Sequence, residues 1–159
     1  MPNEKVFVEN TIAVWKSALE RADKLFASFE EKELLKEVAP GRNRLVYLWG
    51  HLTAMHDRML VLLGISDRIH SDFDSVFLTS VDKANEVPPV ENIRLAWKQV
   101  NDRLNEGISK FSAAQWLEKH AAVSEDDFVK DPLRNRLSIL LTRTNHLTYH
   151  LGQAVLARR

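Results

Sequence analysis

Residues 137–155 read Leu137-Ser138-Ile139-Leu140-Leu141-Thr142-Arg143-Thr144-Asn145-His146-Leu147-Thr148-Tyr149-His150-Leu151-Gly152-Gln153-Ala154-Val155. Leu137, Leu140, Leu141, Leu147, Leu151 and Val155, with Thr144 in register, recur every three or four positions, which is the mark of one buried helical face. Three other segments carry the same spacing. They are Val8, Ile12, Trp15, Leu19, Ala22, Phe26 and Phe29; Leu45, Leu48, Leu52, Met55, Met59 and Leu62; and Ile93, Trp97, Val100, Leu104, Ile108 and Phe111. Each register persists for roughly four to six turns, and no stretch alternates with a period of two. The fold class is therefore all-α, a four-helix bundle.

The breaks between segments agree. Pro40-Gly41 separates the first two, and Gly64 stands where a left-handed glycine ends a helix. Pro88-Pro89 is expected to open the third helix in its first turn, and Asp131-Pro132 to open the fourth with Asp131 as its cap. The long connection from Ile65 to Val87 has room for a short helix over Ser71–Val81, with Phe73 and Phe77 on one side. Ser112-Ala113-Ala114-Gln115 is a capping-box pattern that predicts another short helix through Lys119.

The chain has 159 residues, a length that suits a single domain over residues 1–159 with a substantial core. Lys and Arg together number 22, as do Asp and Glu, so charge gives no reason to propose a nucleic acid or an anionic membrane as partner. There is no cysteine, which excludes disulfides, a thiolate nucleophile and Cys-ligated zinc. The N-terminal MPNEKVFVENTIAVWK lacks the basic stretch and clean apolar run of a signal peptide, and the longest apolar run elsewhere, Met59–Leu63, is far short of a membrane span. A cytoplasmic protein is expected.

Without cysteine, any metal chemistry falls to His, Asp and Glu. His146 and His150 lie four apart on the fourth helix, roughly 40° around its axis and one turn along it, so both imidazoles can reach one ion. A third ligand must come from another helix, and His51, at the edge of the second stripe, is the best donor. The helix-four pair sits roughly a third of a turn from the centre of its leucine stripe, a margin that suits an open site and surface histidines equally. His146 is followed by Leu147, so the HExxH pattern of metalloproteases is absent. Gln153, one turn beyond His150, can hydrogen-bond a ligand imidazole, and Gly152 points to a close helix–helix approach.

Other side chains have plainer expectations. His56, roughly 140° from His51, is expected to face solvent, and His70 and His120 to lie in or beside loops without a role. Trp15 and Trp97 belong to the core, while Trp49 fits a pocket or the core equally. Tyr149 serves either a dimer contact or a catalytic phenol. Arg42, Arg44, Arg134 and Arg136 are expected to be solvated helix ends, with recognition of an anionic substrate as the alternative.

Two motifs, Leu48-Trp49-Gly50-His51-Leu52-Thr53-Ala54-Met55-His56-Asp57 after Pro40-Gly41 and Asn145-His146-Leu147-Thr148-Tyr149-His150-Leu151-Gly152-Gln153, make the chain resemble the DinB-like superfamily, which includes the YfiT-type metal-dependent hydrolases. The resemblance spans nearly the whole chain. It implies an up-down-down-up bundle, to which the residue reading above adds short extra helices in the second and third connections. It further implies a divalent metal, nickel or zinc, held by three histidines, which map onto His51, His146 and His150, and a homodimer. Relatives with assigned reactions include S-transferases that use low-molecular-weight thiols and a thiol-dependent maleylpyruvate isomerase. The expected activity is thus that of a metal-dependent hydrolase or thiol S-transferase acting on a small-molecule substrate, any thiol being supplied by a cosubstrate. The alternatives are a metal- or small-molecule-binding module without turnover and a structural dimeric bundle without metal. No carboxylate stands at an obvious base position, Asp57 being roughly 120° from His51, and the catalytic residues are unassigned.

Overall fold

A computed structural model describes residues 2–158. Its elements are α1 (Pro2–Ala27), α2 (Glu31–Leu34), α3 (Leu45–Leu62), a 3-10 turn at Ser71–Phe73, α4 (Asp74–Phe77), α5 (Val90–Ile108), α6 (Ala113–Trp116), α7 (Glu125–Lys130) and α8 (Arg136–Val155). Among the described residues there are no strands, only isolated bridges between Glu37 and Arg44 and between Lys119 and Asn135.

The four sequence stripes are α1, α3, α5 and α8. Most of their apolar positions meet in one core, with Trp15, Phe26, Leu48, Leu52, Met59, Ile93, Leu104, Leu140 and Leu147 almost wholly enclosed, whereas Leu141 and Val155 of the expected α8 stripe are exposed. Each such side chain contributes about 1.5–3 kcal/mol. Named contacts set the directions. Arg158, just past α8, lies over Phe29, just past α1, so those two helices run parallel. Arg94, early in α5, lies over Trp49, early in α3, while Ile65 beyond α3 meets Gly107 near the end of α5; that pair is also parallel. Arg136 at the start of α8 donates to the Leu63 carbonyl at the end of α3 at 3.0 Å, which makes α3 and α8 antiparallel. The order is up-down-down-up, as the resemblance implies.

A parallel α3–α5 pair requires a long return, and that crossover is fastened to α3. Asp57, fully buried, accepts from Arg68 Nε at 2.9 Å and from the backbone N–H of Ile69 and His70. Arg44 forms a forked pair with Asp82, and Tyr47 Oη donates to the Ser80 carbonyl at 2.6 Å. At its centre the Phe77 ring lies directly on Gly50, where a Cβ would stand 2.2 Å from the ring.

Several boundaries differ from the sequence expectation. Asp131-Pro132 does not open the last helix. Asp131 Oδ1 instead accepts from Leu133 N–H in a local turn, and Asn135 caps α8 by accepting from Ser138 N–H at 2.9 Å. Short polar side chains serve turns and caps alike, and here the turn takes Asp131. Pro89 is the extended residue before α5, not part of its first turn. The helix expected over Ser71–Val81 is shorter, a 3-10 turn running into α4, although Phe73 and Phe77 are both buried. The Ser112–Gln115 capping box forms, but α6 ends at Trp116 rather than Lys119. Gly152 faces no close neighbour: nothing lies within 4 Å of where its Cβ would be. The close-approach glycines are Gly50 and Gly107.

Candidate metal centre

Antiparallel packing of α3 on α8 brings His51 opposite His146 and His150. Nε2 of His146 is 3.1 Å from Nε2 of His51 and 3.1 Å from Nε2 of His150, and one ligand atom from each of the three lies within 4.8 Å of the others. Three nitrogens bound to one ion at about 2.0–2.1 Å stand about 3 Å apart, so the spacing fits a common centre. All three residues are half-buried, on the rim of the core where the helix wheel puts the α8 pair.

The hydrogen bonds on the far side of two rings decide which nitrogens are bare. His51 Nδ1 is 2.9 Å from the Phe77 carbonyl, which only accepts, so Nδ1 carries the proton and Nε2 of the neutral ring is a free lone pair. His150 Nδ1 donates to Gln153 Oε1 at 2.7 Å, and the Gln153 amide in turn donates to Tyr149 Oη at 3.3 Å, so His150 Nε2 is bare as well. His146 Nδ1 is enclosed and has no partner. A proton on His146 Nε2 can satisfy only one of two bare neighbours. The donor set is short of hydrogens and suited to a cation.

Electrostatics keep the rings neutral. Burial pushes His51 below the usual imidazole range; the Phe77 carbonyl opposes this and the charge of Arg143 adds to it. Burial, then His150, His51 and Arg143, bring His146 down to about 3. Burial lowers His150 against the opposing bond from Gln153. Among the described residues no carboxylate pairs with any of the three. Asp57 is occupied with the crossover.

Of the remaining histidines, His56 corrects its expectation. It is fully buried, not solvent-facing, with its ring between Trp15 and Trp97 at 4.9 and 5.0 Å and Nδ1 at 2.8 Å from Asn101 Oδ1. His70 and His120 sit in the connections, against Gln99 and the Ala122 N–H respectively. Trp49 resolves to the core, stacked on Phe26 at 4.9 Å. Arg44 and Arg136 are tied by ion pairs to Asp82 and Glu118 rather than solvated, while Arg42 and Arg134 are exposed. Sequence reading missed the Phe77 carbonyl, which no side chain announces, and Arg143. It also passed over Gly50, although a mid-helix glycine beside a candidate ligand was a usable signal.

A family model described as the DinB superfamily matches residues 15–154. No curated protein matches the chain.

Proposed function

Because the chain belongs to the DinB superfamily, we propose that His51, His146 and His150 hold one divalent cation, nickel or zinc, and that the protein is a metal-dependent enzyme acting on a small molecule, by hydrolysis or by transfer to a thiol. The observation that carries this reading is the convergence of three neutral Nε2 atoms, two of them bare because their Nδ1 protons are committed elsewhere.

His51, His146 and His150 would hold such an ion, which would supply Lewis-acid chemistry able to lower the pKa of a water or thiol towards neutrality. The protein's own contribution is orientation. The Phe77 carbonyl fixes the His51 tautomer, Gln153 fixes that of His150, and Tyr149 fixes Gln153. With no cysteine in the chain, a transferred thiol must arrive as a cosubstrate. With no acid paired to the triad among the described residues, acidification by the ion is favoured over a protein base. The proposal extends to a cytoplasmic homodimer. Exposed Phe7 and Val14 on α1 and exposed Leu141 and Tyr149 on α8 support association with a second copy, and among the described residues no helix is long and apolar enough to cross a membrane.

The test is metal counting on protein purified without a histidine tag. Wild type is expected to carry close to one ion per chain and His150→Ala to lose it; wild type well below one ion overturns the reading. Screening the loaded protein with thiols plus electrophiles, and with esters and amides, then separates the two reactions, and silence in both leaves a binding module.

A further inference from the structure

Arg143 shares the ligand stripe of α8. Positions three and seven residues along a helix return to within roughly 60° and 20° of the starting direction, so Arg143, His146 and His150 lie on one face. Its charge acts on His51, His146 and the buried His56, which places it beside the triad.

Five arginines are half-buried: Arg44, Arg68, Arg94, Arg136 and Arg143. The first four each have a carboxylate partner, in Asp82, Asp57 with Asp74, Glu91 and Glu118. Arg143 has none among the described residues, and its enclosed Nε makes no hydrogen bond. Two acids of α3 and the neighbouring crossover are engaged elsewhere: Asp57 holds Arg68 and two backbone N–H groups, and Asp74 holds Arg68 and Arg58. The enclosed Nε forgoes a hydrogen bond, which is costly, while Nη1 and Nη2 keep access to the surface, where an incoming anion can meet them. A ligand that brings a carboxylate would complete this half-buried head.

We propose that Arg143 is the receptor for a carboxylate on the small molecule that binds at the histidine triad, so that the substrate or cosubstrate is an organic acid reaching the ion through a second polar atom. This rests on the metal reading above. The planar fork of guanidinium matches a carboxylate in two parallel bonds. The nearby Arg58 is engaged with Asp74, so among the described residues Arg143 is the guanidinium left to meet a carboxylate entering beside the triad.

Cobalt-loaded protein titrated with 3-mercaptopropionate or its uncharged counterpart 3-mercapto-1-propanol, followed by the visible spectrum, reads the preference directly. Wild type is expected to bind the acid about tenfold more tightly. Arg143→Gln should erase that preference by weakening the acid alone, and Arg143→Lys should restore part of it. Equal binding of the two thiols by wild type, or a preference that survives in Arg143→Gln, overturns the proposal. A second arm uses metal-free protein and follows the Arg143 Nε–H resonance. It should shift with propionate and not with 1-propanol, and no shift counts against the inference. Failure of the metal reading shows as absent cobalt binding, and the second arm still decides the role of Arg143.

Discussion

Replacing Gly50 with alanine tests how the fold holds the candidate ligand. The added methyl would stand 2.2, 2.3 and 2.6 Å from three atoms of the Phe77 ring, against an ordinary contact of 3.4 Å or more, so the ring must retreat by about 1.2 Å. It has little room, being fully buried against Phe73 and Tyr47 at centroid distances of 5.2 and 5.7 Å. Alanine gains up to about 1 kcal/mol in helix propensity. Overpacking costs about 1–3 kcal/mol, and contacts this short belong at the upper end, for a net loss of about 1–2 kcal/mol. The same retreat draws the Phe77 carbonyl away from His51 Nδ1, now at 2.9 Å, and releases the tautomer lock, for a loss of about 10–100-fold in metal affinity. Gly152→Ala is the matched control. It lies in α8 with nothing within 4 Å of the new methyl and should stabilise by up to about 1 kcal/mol. Urea unfolding of the metal-free proteins and competitive metal titration measure both effects. A Gly50→Ala protein as stable as wild type, with unchanged metal affinity, refutes the reasoning.

Gln153→Leu removes the acceptor on His150 Nδ1 and should lower metal affinity about 10–100-fold while leaving the half-exposed site stable, as titration and urea melts will show. His56, held down to about 4 by burial against an unfolded value of 6.5, stays neutral in the fold while the unfolded chain takes up a proton. Its contribution is therefore intact above pH 6.5 and is lost as pH falls towards 4, so the stability advantage of metal-free wild type over His56→Gln should shrink by about 3 kcal/mol between pH 7 and 4. Because all three candidate ligands are depressed, protons compete with metal only below the usual imidazole range, and affinity should stay flat from about pH 8 to 6.5 before falling. Asp57→Ala leaves Arg68 Nε and two crossover N–H groups without their acceptor, although Arg68 keeps its pair with Asp74, and should cost about 2–3 kcal/mol in urea unfolding.

The four long helices were legible because each stripe repeats over many turns and the punctuation falls between them; Gly64, for instance, adopts the left-handed φ of 73° that its position suggested. Short elements were less legible because one polar residue has two uses. Asp131 makes a turn where a cap was expected, and the true cap lies four residues on at Asn135. The α7 signal, Ser124 before Glu125-Asp126-Asp127, was present but unread. Of the site, the 146/150 pair follows from helical spacing, and His51 from its place at a stripe edge. His56 was misread for an instructive reason. Its angle from His51 was right, but α3 has no solvent face in that direction, since thirteen of its 18 residues are buried between α5, α8 and the crossover. A wheel gives direction only; what fills that direction is tertiary.

The crossover joins topology to chemistry. A helix of 18 residues is about 27 Å long, so a parallel successor requires the chain to travel back along the bundle before α5 can start. That return passes over the outer face of α3, where Asp57, Arg44 and Tyr47 each grip it at a different point. Held between those grips, Phe77 places its ring on Gly50 and its carbonyl on the His51 ring one residue along. The segment that makes the bundle up-down-down-up therefore also fixes which nitrogen of His51 is bare. Weakening the grip far from the triad, at Asp82 for example, should loosen the His51 tautomer without touching any of the three histidines. Asp82→Asn is thus expected to reduce metal affinity while Lys98→Gln, on the exposed face of α5, leaves it unchanged. Equal affinities in the two variants would separate the crossover from the site and show that the histidine geometry is set by α3 and α8 alone.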